Sequence, residues 1–149
     1  MELIHPSEKY HESYISYIKE LENEERYPFT LDLEFEDFST LVSQLQDFSI
    51  GKNLPKNTVQ NTTLWLIENA QIVGVTNLRH HLNEKIKHTG GHIGLSIRPS
   101  SRGKGIGNTL MHLSIEQLTL MGVNEIHIHC YKTNPSSAKI IMNLSLIHI

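Results

Sequence analysis

RPSSRGKGIG, residues 98–107, gathers three cationic side chains and three glycines into ten positions. Glycine weakens helices and strands because it gives up the most backbone freedom on folding. Arg98, Arg102 and Lys104 also repel one another at such close spacing. An anion offsets both penalties. Glycines let a phosphate approach the main chain, and Arg102 and Lys104 supply charge around it.

Both flanks support that reading. Upstream, HTGGHIGLSIR sets Ile93, Leu95 and Ile97 on one face and His92, Gly94, Ser96 and Arg98 on the other, the period of a strand. Gly94 inside it marks a bulge or the close approach of another backbone. Downstream, Ile106, Leu110, Met111, Leu113, Leu118 and Met121 cover a wide arc, while Asn108, His112, Glu116 and Thr119 form a polar stripe. Residues 106–121 therefore read as a helix, closed by Gly122 at a C′ position. EIHIHCY, residues 125–131, alternates again and breaks at Asn134-Pro135, after which residues 136–144 read as another helix. Strand, glycine loop, helix and strand form a βαβ unit whose two strands should lie parallel and adjacent.

The loop thus leads from a strand into a helix N-terminus, where free N–H groups and a partial positive charge favour an anion. A pyrophosphate fits such a cradle. Two rival phosphate loops fail on context. Gly103-Lys104 is followed by Gly105, where a Walker A loop needs Ser or Thr. A Rossmann fingerprint follows the first strand of a parallel sheet, whereas this loop comes late, after several strands.

Earlier segments complete the layout. Residues 1–5 make a short strand, and Pro6-Ser7 opens a helix to about Glu22 with Tyr10, Tyr14, Tyr17 and Leu21 on one face. Asp37 caps a second helix whose buried stripe is Phe38, Leu41, Val42 and Leu45. Residues 49–61 read as a loop. TTLWLIE and QIVGVTNLRH are strands joined at Asn69-Ala70, a polar connection spans residues 80–87, and the three strands make an antiparallel meander. The fold class is a mixed α+β (α/β) sheet with flanking helices, in a single domain over residues 1–149.

Composition excludes several classes. A net charge of −3 argues against general nucleic-acid binding. The single cysteine, Cys130, forms no internal disulfide, so a reducing cytoplasm is the expected location. No stretch reads as a signal peptide or membrane span. Residues 22–37 hold seven acids against one base, Arg26. Such a run is a solvated loop or a surface that draws in a cationic molecule.

Arg102-Gly103-Lys104-Gly105-Ile106-Gly107, with its preceding strand and following helix, resembles motif A of the GNAT superfamily of N-acetyltransferases, Arg/Gln-x-x-Gly-x-Gly/Ala. The resemblance covers nearly the whole chain, and LRHHLNEKIKHTGGHIG is similar to a bacterial branch of that superfamily. It implies acetyl-CoA as cosubstrate, held between splayed parallel strands ending at Ile97 and near Tyr131. Backbone groups around Ile97 would hold the pantetheine arm. Amides of Arg102, Gly103, Lys104, Gly105, Ile106, Gly107 and Asn108 would bind the pyrophosphate. Asn134 matches a position that contacts pantetheine, and Ser137 one near the phosphates. A neutral small-molecule or protein amine would attack the thioester directly, with no covalent enzyme intermediate.

The acid and base are less regular. Relatives carry a tyrosine seven residues after the asparagine, where this chain has Ile141; Tyr131 is a substitute, or the thiolate leaves unassisted. Where some relatives have a carboxylate base, this chain has His92, which titrates in the right range; His80 and His81 are its rivals. Cys130 falls on the apolar face and reads as core. His127 and His129 share a face, but no third ligand is identifiable and no metal is expected. Relatives continue past residue 145 with a glycine turn and two strands, so the last strands are expected to be lost or missing here. An uncovered edge would invite a homodimer. The resemblance thus implies an acetyl-CoA-dependent N-acetyltransferase. The alternative is a non-catalytic acyl-CoA-binding module or an inactive truncated relative.

Overall fold

Alternating residues over positions 61–79 build the centre of the sheet. β2 (Asn61–Glu68) and β3 (Gln71–Arg79) pair antiparallel, with Trp65 opposite Val75 and Thr63 opposite Asn77. Asn69 and Ala70 make the turn, both with positive φ (53° and 60°). That geometry matches the right-handed twist of the flanking strands. β1 (Glu2–Ile4) adds to β2, and β4 (Ile93–Ile97) adds to β3, giving the order β1-β2-β3-β4, antiparallel throughout. The computed structural model describes residues 1–83 and 91–128.

The expected first helix begins as a short 3-10 turn, Glu8–Tyr10, capped by Ser7, and continues as α1 (His11–Leu21). α2 (Phe38–Ser49) is capped by Asp37, whose carboxylate accepts from the Thr40 N–H at 3.2 Å. Tyr14, Tyr17, Leu21, Leu41 and Leu45 pack with Trp65 and Val75 on one face of the sheet. The other face is covered by α3 (Ile106–Leu120), with Met111 and Leu118 against Leu64, Leu78 and Ile93. Gly122 N–H donates to Thr119 and Val123 N–H to Leu118, and Gly122 has φ 91°. This double closure is the C-terminal motif that glycine permits.

Two expectations change. Gly94 marks no bulge, and what approaches it is side chain rather than backbone. A Cβ built there would lie 3.0 Å from Tyr27 Oη and 3.0 Å from Arg79 Nη2. The strand expected at residues 125–131 is described only to Ile128. There one antiparallel bridge joins Gly91 to Ile128, ahead of β4 rather than alongside it. The splayed parallel pairing is therefore not found among the described residues. Beside that bridge His92 makes two contacts: its N–H donates to the His127 carbonyl at 2.7 Å, and its Nδ1 accepts from the His127 N–H at 3.0 Å. Among the described residues no helix is long and apolar enough to cross a membrane.

Candidate functional site

The site is built where β4 runs out. After Ile97 the chain makes a 3-10 turn, Pro99–Ser101, then passes through Gly103 and Gly105, both at φ 78°, into α3. An L side chain is strained at that φ, so glycine is what lets the loop fold back so sharply. Gly105 is itself the N-cap of α3 and has no side chain with which to satisfy the first turn. The first bond in this turn runs from the Thr109 N–H to the Gly105 carbonyl. The N–H groups of Ile106, Gly107 and Asn108 are thus the orphan donors of a helix start. A Cβ added at Gly103 or Gly105 would meet nothing within 4 Å. The open space and unspent donors fit a pyrophosphate.

The three cations do not share that task. Arg98 is wholly buried. Its guanidinium donates to the Ile72 carbonyl at 2.7 Å, the Ser13 carbonyl at 2.8 Å, Ser16 Oγ at 3.0 Å and Glu20 Oε2 at 2.6 Å. Glu20 Oε1 in turn accepts from the Ser100 N–H at 2.9 Å. Burial alone would raise the Glu20 pKa, but the hydrogen bonds from Ser100 and Arg98 and the Arg98 charge outweigh it and hold the carboxyl below its ordinary value. Arg102 is committed as well: both its Nη atoms meet Glu24, at 2.8 and 3.2 Å, and its Nε donates to the Ile97 carbonyl at 3.1 Å. Lys104 is exposed. The acidic segment is therefore partly spent within the fold, Glu24 on Arg102 and Asp37 on the α2 cap.

Along β4 the face toward α1 carries polar groups. Ser96 Oγ bonds Tyr17 Oη at 2.7 Å, and Tyr17 is fully buried, which pushes its phenol well above the ordinary tyrosine range. Tyr27 reaches the same face over Gly94 but stays 37% exposed. His92 lies just before β4, five residues ahead of Ile97 and so about 16 Å from the cradle end. It is 6% exposed. Burial first, and the charges of His127 and Arg79 second, lower its pKa. Because Nδ1 accepts a backbone hydrogen bond, the neutral ring carries its proton on Nε2. His80 is likewise lowered, by burial and then by the charge of His81, and its Nε2 lies 2.7 Å from Thr62 Oγ1.

The structure thus brings Ile97 and Arg102 to Asn108 together at one strand end and places His92 at the other. Asn134 and Ser137, with Cys130, Tyr131 and Ile141, lie outside the described residues. Sequence reasoning missed the partners of Arg98 and Arg102. Ser13, Ser16 and Glu20 do form a polar stripe at helical spacing beside the Tyr14, Tyr17 and Leu21 stripe, which marks a polar face on α1 without saying what it meets.

Comparison with known proteins agrees with this geometry. The Acetyltransferase (GNAT) domain family matches residues 6–146. Among solved structures, a GNAT-family acetyltransferase from Streptococcus pneumoniae superposes with a TM-score of 0.60 at 14% identity, over 95% of this chain and 81% of that one. At that identity the likeness is one of fold. Comparison with curated proteins gives no match. A strand-to-helix glycine cradle and a family match over nearly all of its length together mean that this chain belongs to the GNAT acetyltransferase family.

Proposed function

We propose that the chain transfers an acetyl group from acetyl-CoA to a primary amine by direct attack within a ternary complex. The observation that carries this reading is the loop from Gly103 to Asn108, with two positive-φ glycines opening onto an uncapped helix start. Its amides would hold the pyrophosphate. The edge of β4 at Ile97 would hold the pantetheine arm as an added strand does. Asn134 and Ser137 belong to the same proposal. The amine nitrogen attacks the thioester carbonyl carbon, the C–S bond breaks, and the thiolate and the protonated amide nitrogen exchange one proton through solvent. Acetyl-CoA supplies the acyl group, and this chain supplies position.

His92 is the weakest part of the scheme. To act as a base at Nδ1 it must first release the His127 N–H. A neutral amine that needs no enzymic base fits this geometry better. Tyr27 Oη, half open over Gly94, is then a hydroxyl placed to meet the acceptor on the α1 side of β4. The engaged His92 and the isoleucine at position 141 also favour the second reading, an acyl-CoA-binding module without catalysis. The same reading takes its amine acceptor from the family, a cytoplasmic setting from the single cysteine and a homodimer from an uncovered strand edge.

Calorimetric titration of acetyl-CoA tests the reading, with Gly105→Glu beside the wild type. A glutamate there puts a carboxylate into the cradle and strains a residue at φ 78°. The expected outcome is micromolar binding by the wild type and at least about 100-fold weaker binding by the variant. Equal affinity for both would overturn the cradle assignment. Thiol release in the presence of amines then separates enzyme from binding module.

A further inference from the structure

Glu24 is held in place with unusual care. It follows Glu22, which sits at φ 50°, a conformation that side chains other than glycine rarely adopt. Arg26 ties this turn down, donating to the carbonyls of Glu22 and Glu24 at 2.8 Å each. The Glu24 N–H also donates to the Leu21 carbonyl at 2.9 Å, closing the end of α1. The carboxylate so positioned grips Arg102 with both oxygens. That fork orients the guanidinium so that its Nε–H reaches the Ile97 carbonyl. The result is a chain of contacts from α1, through Glu24 and Arg102, to the end of β4.

We propose that the Glu24–Arg102 pair is a clasp closed over the cosubstrate's own binding edge, which acetyl-CoA must open in order to dock. The proposal rests on the reading that the pantetheine arm adds along β4. An arm added at Ile97 has to pass where the Arg102 guanidinium lies against that carbonyl, so the side chain and the arm compete for the same space at the strand edge. Glu24 opposes docking a second way, because it holds a negative charge next to a cradle built for phosphates. When Arg102 leaves Ile97, Glu24 loses its fixed partner, so occupancy of the cosubstrate edge releases the segment that follows α1. Glu24 is thus a positioning residue acting through Arg102.

The test separates obstruction from charge. Glu24→Gln and Glu25→Gln remove the same charge one residue apart, and only Glu24 touches Arg102. Both glutamates are exposed, so both variants should fold, which their unfolding midpoints check. Two probes are titrated: acetyl-CoA, which is anionic, and S-acetylpantetheine, which is neutral and lacks the nucleotide. An exposed ion pair of this type corresponds to about a two- to fivefold change in affinity. Glu24→Gln is expected to bind both probes tighter by that factor, while Glu25→Gln leaves S-acetylpantetheine affinity at the wild-type value. Tightening of acetyl-CoA alone, or equal behaviour of the two variants, overturns the clasp and leaves only a charge effect. Binding of acetyl-CoA by the wild type, judged separately, tests the underlying reading. If neither wild type nor Glu24→Gln binds it, reading and clasp fall together.

Discussion

Residues 98–101 and residues 103–108 adjoin on one loop, yet they differ in almost every physical respect. The first stretch is closed: Arg98 is fully buried, Ser101 nearly so, and the Ser100 N–H is taken by Glu20. The second is open: Gly103 and Gly105 have space where a Cβ would sit, and its helix start lacks a side-chain cap. An anion site needs donors that are unspent but fixed. The buried half supplies the fixing, since Arg98 links the end of β4 to three residues of α1 and to β3. The open half can then leave its N–H groups unpaired without collapsing onto them.

If that division is right, stability and binding should separate along the loop. Arg98→Ala is the largest expected effect. It leaves Glu20 with the Ser100 N–H alone, strips the Ile72 and Ser13 carbonyls of their donor and empties a buried site, which costs about 3–5 kcal/mol in denaturant unfolding. Arg98→Lys should recover little, because an ammonium cannot reach several acceptors in one plane as the guanidinium does. An Arg98→Ala chain of wild-type stability would break the comparison.

Glu20→Gln is intermediate. It keeps the shape and removes the charge from two hydrogen bonds, so a loss on the order of 1–2 kcal/mol is expected at neutral pH. Its pH dependence sharpens the assignment. The Glu20 pKa is lowered in the folded chain, so its contribution is fully present above the ordinary carboxylate value and is lost as pH falls through the folded one. Unfolding measured from neutral to acid pH should therefore show a shallower acid limb in Glu20→Gln. An unchanged limb would mean that Glu20 carries no linked proton.

Gly103→Ala comes last, with a cost no larger than that of Glu20→Gln. The added Cβ meets nothing within 4 Å, so the cost is the left-handed conformation alone, about 1–2 kcal/mol. Its acetyl-CoA affinity should fall relatively more than its stability, the reverse of Arg98→Ala. Calorimetry and unfolding on both variants give that double comparison directly.

Much of this was legible in the chain. Periodicity marked α2, its Asp37 cap and the Asn69-Ala70 turn, because neighbouring residues settle those features. The shape of the glycine loop was legible for the same reason, since turn, glycine conformation and helix start all lie within ten residues. The tasks of the cations were not. Arg98, Arg102 and Lys104 look equivalent in RPSSRGKGIG, and only their distant partners distinguish them. Glu20 and Glu24 lie 78 residues from Arg98 and Arg102 respectively. The role of Gly94 was half legible: its missing side chain signalled a close approach, but not that Tyr27 and Arg79 would fill the space.

The chain's own order was enough to set the local elements and the glycine turn that opens α3 without a side-chain cap, because short-range sterics and hydrogen bonding decide both. Only the tertiary structure decided which charges stay available. α1 and the segment after it fold across the end of β4 and consume two of the three cations there. It also decided the state of His92, whose Nδ1 is engaged only because residues 126–128 return beside it. Long-range packing sets which donors are spent, and no spacing along the chain encodes that.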